Sequence, residues 1–225
     1  MIVIEKNQWP VLIVNIIALA VFAAAYATMA NYEFLIYIGV IVCVLVVLIL
    51  TNARVRYPVD LLWGLTLWSL LHMLGGCVSV GSGRLYELIL IPISKKYGVF
   101  RYDQFVHIIG FGAATLMMYH LLRPLLRADE RRWWSLSILI VMAGLGVGAL
   151  NEVIEFLITV VCPETGVGGY LNTCLDLVAD LIGALLALGF IRLKESVGES
   201  IPGRENRRML DALNDVHADE PDAED

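Results

Sequence analysis

Charge is what this sequence has least of. Only 17% of its 225 residues are Asp, Glu, Lys or Arg, against 59% apolar ones, where an average soluble domain carries about 25% charge. That shortage excludes a water-soluble globular enzyme. A basic surplus is lacking too, because the formal net charge is −6; a nucleic-acid-binding face is excluded and no nucleic-acid partner is expected. Even the acidity is local. Residues 195–225 hold ten acids against three arginines, a charge of −7, which leaves +1 for residues 1–194. No tandem repeat of 20–50 residues is present. The four cysteines constrain little. Cys43 lies mid-run, where a small core residue is expected. Cys77, Cys162 and Cys174 fall at the ends of apolar runs, and a Cys162–Cys174 disulfide is open in an oxidising compartment.

What the chain does have is long apolar runs. A hydrocarbon layer about 30 Å thick needs roughly 20 residues of helix. Such runs occupy Pro10–Ala30, Phe34–Leu50, Leu61–Val80, Phe105–Leu122, Trp133–Val161 and Asn172–Leu193. The expectation is an all-α, polytopic integral membrane protein, a six-helix bundle over residues 1–194. A long extracytoplasmic connection (81–104) and an acidic, largely disordered cytoplasmic tail (195–225) complete it. The first run is too long for a signal-peptide core, despite Ala25-Tyr26-Ala27. With both termini on the cytoplasmic side of the inner membrane, twelve of the Lys and Arg residues fall inside. Only Arg84, Lys95, Lys96 and Arg101 fall outside, as the positive-inside rule requires.

Ionisable residues nevertheless occur within these runs, where each costs on the order of 2.5–3.5 kcal/mol at a helix centre. The third run carries His72. Asp103 and His107, four apart, open the fourth; Glu152 and Glu155, three apart, follow Asn151 in the fifth; Asp176 and Asp180, four apart, follow Asn172 in the sixth. Spacings of three and four put each pair on one helix face. Small residues continue those faces: Gly75 and Gly76, Gly110 and Ala114, Gly144 and Gly148, Gly183 and Ala184. Small residues mark close helix approach in membranes, so the charged faces should point into the bundle. At 1.5 Å per residue, Asp103, His107 and Asp176 lie within roughly 6 Å of the outer rim, and the others roughly 9–14 Å down. Two histidines and five carboxylates should converge on one outer cavity.

Five ionised carboxylates repel strongly at low dielectric; they must protonate, pair or bind a cation. A divalent metal ion is the economical expectation, and the mixed imidazole and carboxylate set does not distinguish Zn, Mn, Mg or Fe. The ligand set is Asp103, His107, Glu152, Glu155, Asp176 and Asp180, with His72, His107 and Glu152 as candidate catalytic residues. The long connection mixes Leu88–Ile91 and Ile93 with its four cations. Folded as an interfacial or re-entrant cap, it would offer Arg84, Lys95, Lys96 and Arg101, together with Asn172, to an anionic substrate such as a phospholipid headgroup or polyprenyl phosphate. The competing reading is mutual pairing that locks the helices, Asp103 with His107 or Arg101 and Glu152 with Asn172. Asp60 reads as an N-cap, Glu33 as an outer-turn residue, and Gly144-x-Gly146-x-Gly148 as close helix packing.

The string Tyr102-Asp103-x-x-Val106-His107 resembles the YDxxVH motif of the YjdF-like bacterial inner-membrane proteins, a family of unknown function. Leu71-His72-x-x-Gly75 is similar to its LHxxG segment and Glu152-Val-Ile-Glu155-Phe156 to its ELIEW segment. Asn172-x-x-x-Asp176 with Gly183-Ala184 is similar to its closing DxxxD…GA stretch. Residues 61–190 are covered in matching order. A looser likeness in the same order is to VanZ-like membrane proteins, associated with glycopeptide-antibiotic tolerance. The resemblance implies His72, Asp103, His107, Glu152, Glu155 and Asp176 as a shared site. Asn172 stands where the pattern has aspartate, Phe156 replaces its tryptophan, and Asp180 falls where a small or amide residue is usual. Asp180 is placed to compensate, one turn further along the same face. Three functions are therefore expected in competition. One is a metal-dependent enzyme acting on a membrane lipid or lipid-linked phosphate. The second is a proton- or cation-coupled transporter, and the third a structural or regulatory membrane subunit.

Overall fold

The computed structural model describes residues 3–94, 96–123, 133–162 and 165–199, with side chains to 196. Lys95, Arg127, Arg131, Arg132 and the acidic segment beyond Glu199, with His217, lie outside the described residues. Six α-helices appear among the described residues: α1 (Trp9–Thr28), α2 (Tyr32–Val55), α3 (Val59–Cys77), α4 (Tyr102–Leu122), α5 (Trp133–Val161) and α6 (Tyr170–Glu199). Pro10 stands in the first turn of α1, where its missing N–H has no partner to lose. Asn31 caps α2 by accepting from the Phe34 N–H at 3.3 Å. Asp60 lies inside the first turn of α3 and Pro58 occupies the cap position, so the N-cap expected of Asp60 is not formed. Five helices are long and apolar enough to cross a membrane. The exception is α3, whose Asp60, Thr66, Ser69 and His72 dilute its hydropathy.

The chain divides into two units, Met1–Leu188 and Gly189–Asp225. In the second, the last turns of α6 set Lys194 Nζ 5.7 Å from the Phe190 ring centre. The first holds every candidate site residue. Its core joins α1, α2, α3 and α5 through Leu19, Tyr26, Phe34, Tyr37, Ile38, Ile41, Met73 and Ile158. Tyr26 is fully buried and donates to the Met73 carbonyl. The small-residue faces do mark close approach. A Cβ on Gly183 would lie 2.9 Å from Gly112 N and overlap the Ile108 carbonyl, so α6 meets α4 backbone to backbone. Gly144 accommodates Thr115 and Gly148 accommodates Asp180, whereas Gly146 faces nothing within 4 Å. Cys43 is exposed rather than a core residue, and Cys162 and Cys174 are both free thiols.

The long connection departs from an all-α reading. It forms two antiparallel hairpins, β1 (Ser79–Val80) with β2 (Gly83–Arg84) and β3 (Ile89–Ser94) with β4 (Val99–Arg101). Gly81 and Gly98, both at φ 62°, supply the left-handed turn positions that only glycine adopts without strain. A single helical turn at Leu85–Glu87 separates the hairpins and packs on the ends of α3 and α4. It drives Tyr86 against Gly75, where a Cβ would lie 2.5 Å from the ring. The connection thus closes the same end of the bundle at which α4 and α6 begin.

Candidate functional site

Helix α4 presents Asp103 and His107 one turn apart, and α6 presents Asn172, Asp176 and Asp180 at the same period. His107 Nδ1 donates to Asp180 Oδ1 at 2.8 Å. Its Nε2 is 3.8 Å from Asp103 Oδ1. Asp176 and Asp180 are fully buried. Asn172 Nδ2 donates to Asp103 Oδ2 at 3.2 Å and also to Asp176 Oδ2. Helix α5 adds Glu152 and Glu155, both buried, and Asn151 Nδ2 donates to Glu155 Oε1 at 2.9 Å. Ligand-type atoms of Asp103, His107 and Asp176 lie within 4.8 Å of one another, as do those of His107, Glu152 and Glu155. His107 belongs to both groups.

The cluster does not satisfy itself. Glu152 Oε1, Asp176 Oδ1 and Asp180 Oδ2 are buried without a hydrogen-bond partner, and a buried carboxylate oxygen without a donor is costly. A proton or a cation can answer that deficit. The donor set suits a divalent cation: several carboxylates surround an imidazole whose other nitrogen is held by a carboxylate, the arrangement that fixes tautomer and orientation at metal sites. The mutual pairings expected from sequence are formed only in part. Asn172 bonds Asp103 and Asp176 rather than Glu152. Arg101 Nε is itself buried without a partner.

Beside the cluster a cleft with about 460 Å³ of empty space opens among α2, α3, the connection and residues 166–168. His72 lies in its wall, ringed by Phe34, Tyr37, Trp68 and Tyr86 at centroid distances of 5.8, 4.9, 5.8 and 5.5 Å. Tyr86 OH is hydrogen-bonded to His72 Nδ1. Burial pushes the Tyr86 phenol well above its ordinary range, so it keeps its proton and shares one hydrogen bond with Nδ1. Tyr86→Phe is expected to cost about 0.5–1.5 kcal/mol, the worth of one net hydrogen bond. Thermal unfolding in mild detergent measures that loss.

Part of this cleft carries no mark in the sequence. Glu33 is buried, accepts from Arg84 Nη1 at 3.2 Å and from the Gly166 N–H at 2.9 Å, and so organises one wall. Tyr37 and Tyr86 were equally unsignalled, since single aromatics carry no periodic mark. Glu33 alone left a trace, as an acid opening an apolar run. Of the residues assigned to an anionic substrate, Arg84 and Asn172 line the cleft. Lys96 lies 5.0 Å from the Tyr97 ring centre at the tip of the second hairpin, and Arg101 ends β4; neither lines the cleft among the described residues.

A profile of the family described as predicted membrane protein (DUF2238) matches residues 9–195, from the first residue of α1 into the last turns of α6. No curated protein and no solved structure matches the chain.

Proposed function

Because the chain belongs to DUF2238, an uncharacterised family of membrane proteins, we propose that it is a six-span inner-membrane enzyme. In this reading the His107 cluster holds a divalent metal ion and acts on a lipid phosphate or lipid-linked phosphate. The observation that carries the reading is the set of buried, unpartnered oxygens of Glu152, Asp176 and Asp180 around His107. The twelve-to-four distribution of Lys and Arg supports cytoplasmic termini and a cleft on the extracytoplasmic side. The Tyr102–His107 and Leu71–Gly75 strings support a kinship with the YjdF-like proteins.

His107 Nε2, Asp103, Asp176, Glu152 and Glu155 would hold the ion, and Asp180 would orient His107. Bound there, the metal supplies Lewis acidity toward a phosphoryl oxygen and activates water. His72 moves a proton, its ring oriented by Tyr86. Arg84 binds the phosphate, exchanging its Glu33 contact for it. Elemental analysis of protein purified in mild detergent without chelator tests the proposal. A stoichiometric divalent metal is expected in the wild type and absent from Glu152→Ala; its absence from the wild type would refute the site. Phosphate release from vesicles of phosphatidic acid or polyprenyl phosphate then tests the reaction.

A helix-locking role is the second reading, favoured by the two bonds of Asn172 and the His107–Asp180 bond. It predicts that alanine at both Glu152 and Glu155 lowers stability while leaving the cellular phenotype intact.

A further inference from the structure

Among the described residues, the cleft beside the His107 cluster is lined by four acids, Glu33, Glu87, Asp103 and Glu155, against one fixed cation, Arg84. A purely anionic head entering it meets more repulsion than attraction. A metal ion on Asp103 and Glu155 would cancel part of that charge, yet Glu33 and Glu87 would still face a single arginine. The rings of Phe34, Tyr37 and Tyr86 share the lining, and ring faces attract cations. Acids and rings together are the surroundings of a positive group.

Glu33 and Arg84 are paired but unequal. The Glu33 side chain is 5% exposed and that of Arg84 38%. Arg84 can turn to another partner at little cost, because an ion pair open to solvent is worth little. Glu33 cannot be left alone, since a buried carboxylate without its cation is costly. Its donors are few: Arg84 Nη1 at 3.2 Å and the Gly166 N–H at 2.9 Å both meet Oε2. Oε1 has no donor among the described residues. Phe34 completes the place, with the Arg84 guanidinium carbon 5.6 Å from its ring centre. In the proposed function Arg84 leaves this place for a phosphate. What it vacates is a buried carboxylate beside an aromatic ring, short of one N–H donor and one positive charge. A lone anion would take the arginine and strand Glu33; a ligand that carries its own ammonium group restores both.

We propose that the Glu33–Arg84 pair recognises a zwitterionic phosphoester head bearing a primary ammonium, whose phosphate takes Arg84 and whose ammonium replaces it on Glu33 and Phe34. A primary ammonium donates to the carboxylate; a trimethylammonium has no N–H to give and answers only the charge and the ring. Among lipid phosphates an ammonium-bearing head therefore ranks above phosphatidic acid. The assignment rests on the proposed phosphate role of Arg84 and not on the metal.

The full chain in mild detergent with chelator, so that no metal contributes, is titrated with phosphoethanolamine, phosphocholine, inorganic phosphate and ethanolamine, and thermal stabilisation gives each affinity. Phosphoethanolamine is expected to bind about 10–100-fold more tightly than inorganic phosphate or ethanolamine, the scale of a hydrogen bond to a charged group, and about tenfold more tightly than phosphocholine. Glu33→Gln keeps an acceptor for the Gly166 N–H but loses the charge, and is expected to bind phosphoethanolamine and inorganic phosphate equally. Arg84→Gln is expected to lose inorganic phosphate and keep ethanolamine, and it carries the test should Glu33→Gln fail to fold. Tighter binding of dihexanoyl phosphatidylethanolamine than of glycerophosphoethanolamine assigns the head to a lipid, and equal binding to a free phosphoester; recognition of the head stands in both. No binding of phosphoethanolamine, inorganic phosphate bound as tightly by the wild type, or a preference unchanged in Glu33→Gln overturns the proposal and leaves the metal site standing. A wild type without metal that still prefers phosphoethanolamine refutes the metal site and leaves this recognition standing.

Discussion

The Glu152→Gln/Asp176→Asn double variant is expected to retain no stoichiometric divalent metal, and Asp180→Asn to bind it 10–100-fold more weakly, the usual cost of losing an orienting carboxylate. The two effects have different origins. Glu152 and Asp176 each bring a buried oxygen that no protein donor answers, and an amide oxygen replaces its charge with a weak dipole. Asp180 acts through His107: its Oδ1 accepts from Nδ1 and so keeps Nε2 available. Stability should move in opposite directions with and without metal. In chelator, the double variant is expected to unfold at a higher temperature than the wild type, since it no longer buries unpaired charge. With metal restored, only the wild type gains. Metal analysis and thermal unfolding, each with and without chelator, check both statements. A double variant that keeps its metal places the ion elsewhere.

Gly183→Ala is expected to destabilise the protein by about 1–3 kcal/mol, as overpacking does in a close-packed interior. The new Cβ would overlap the Ile108 carbonyl and stand 2.9 Å from Gly112 N, and backbone cannot rotate away. Gly183 lies three residues beyond Asp180 on the same face, so moving α6 away from α4 also lengthens the His107–Asp180 bond. Weaker metal binding should therefore accompany the lost stability. Gly146→Ala meets nothing within 4 Å and is the control, expected to be neutral. Reversible unfolding in mixed micelles measures the difference.

The helices and their inward faces were legible because two periodicities coincide: apolar runs of membrane length, and polar and small residues every three or four positions. That coincidence placed His107, Asp103, Glu152, Glu155, Asp176 and Asp180 together. Pairings within the cluster were not legible. Rise per residue gives depth, but the rotation of one helix against another decides whether Asn172 meets Glu152 or Asp103. The same blindness to rotation put Cys43 in the core, when it shares an exposed face with Val42, Val46, Val47 and Leu50. The hairpins were hidden because a short apolar run such as Ile89–Ile93 has no period that separates strand from helix. Tyr86 and Glu33 act singly, one in a connection and one in a helix's first turn, so no pattern announced them.

The His107–Asp180 bond joins residues 73 positions apart in the chain. At a synthesis rate of 5–20 residues per second, roughly 4–15 s separate the appearance of the histidine from that of its partner. For the first part of that interval Asp103 and His107 lack both α5 and α6, and until residue 180 is made they still lack the Asp180 side of α6. A helix in that condition pays to enter hydrocarbon, so its partners must be made before it is stably seated. The order of synthesis therefore sets when the buried cluster can close: His107 gains its Asp180 partner only once residue 180 has been made.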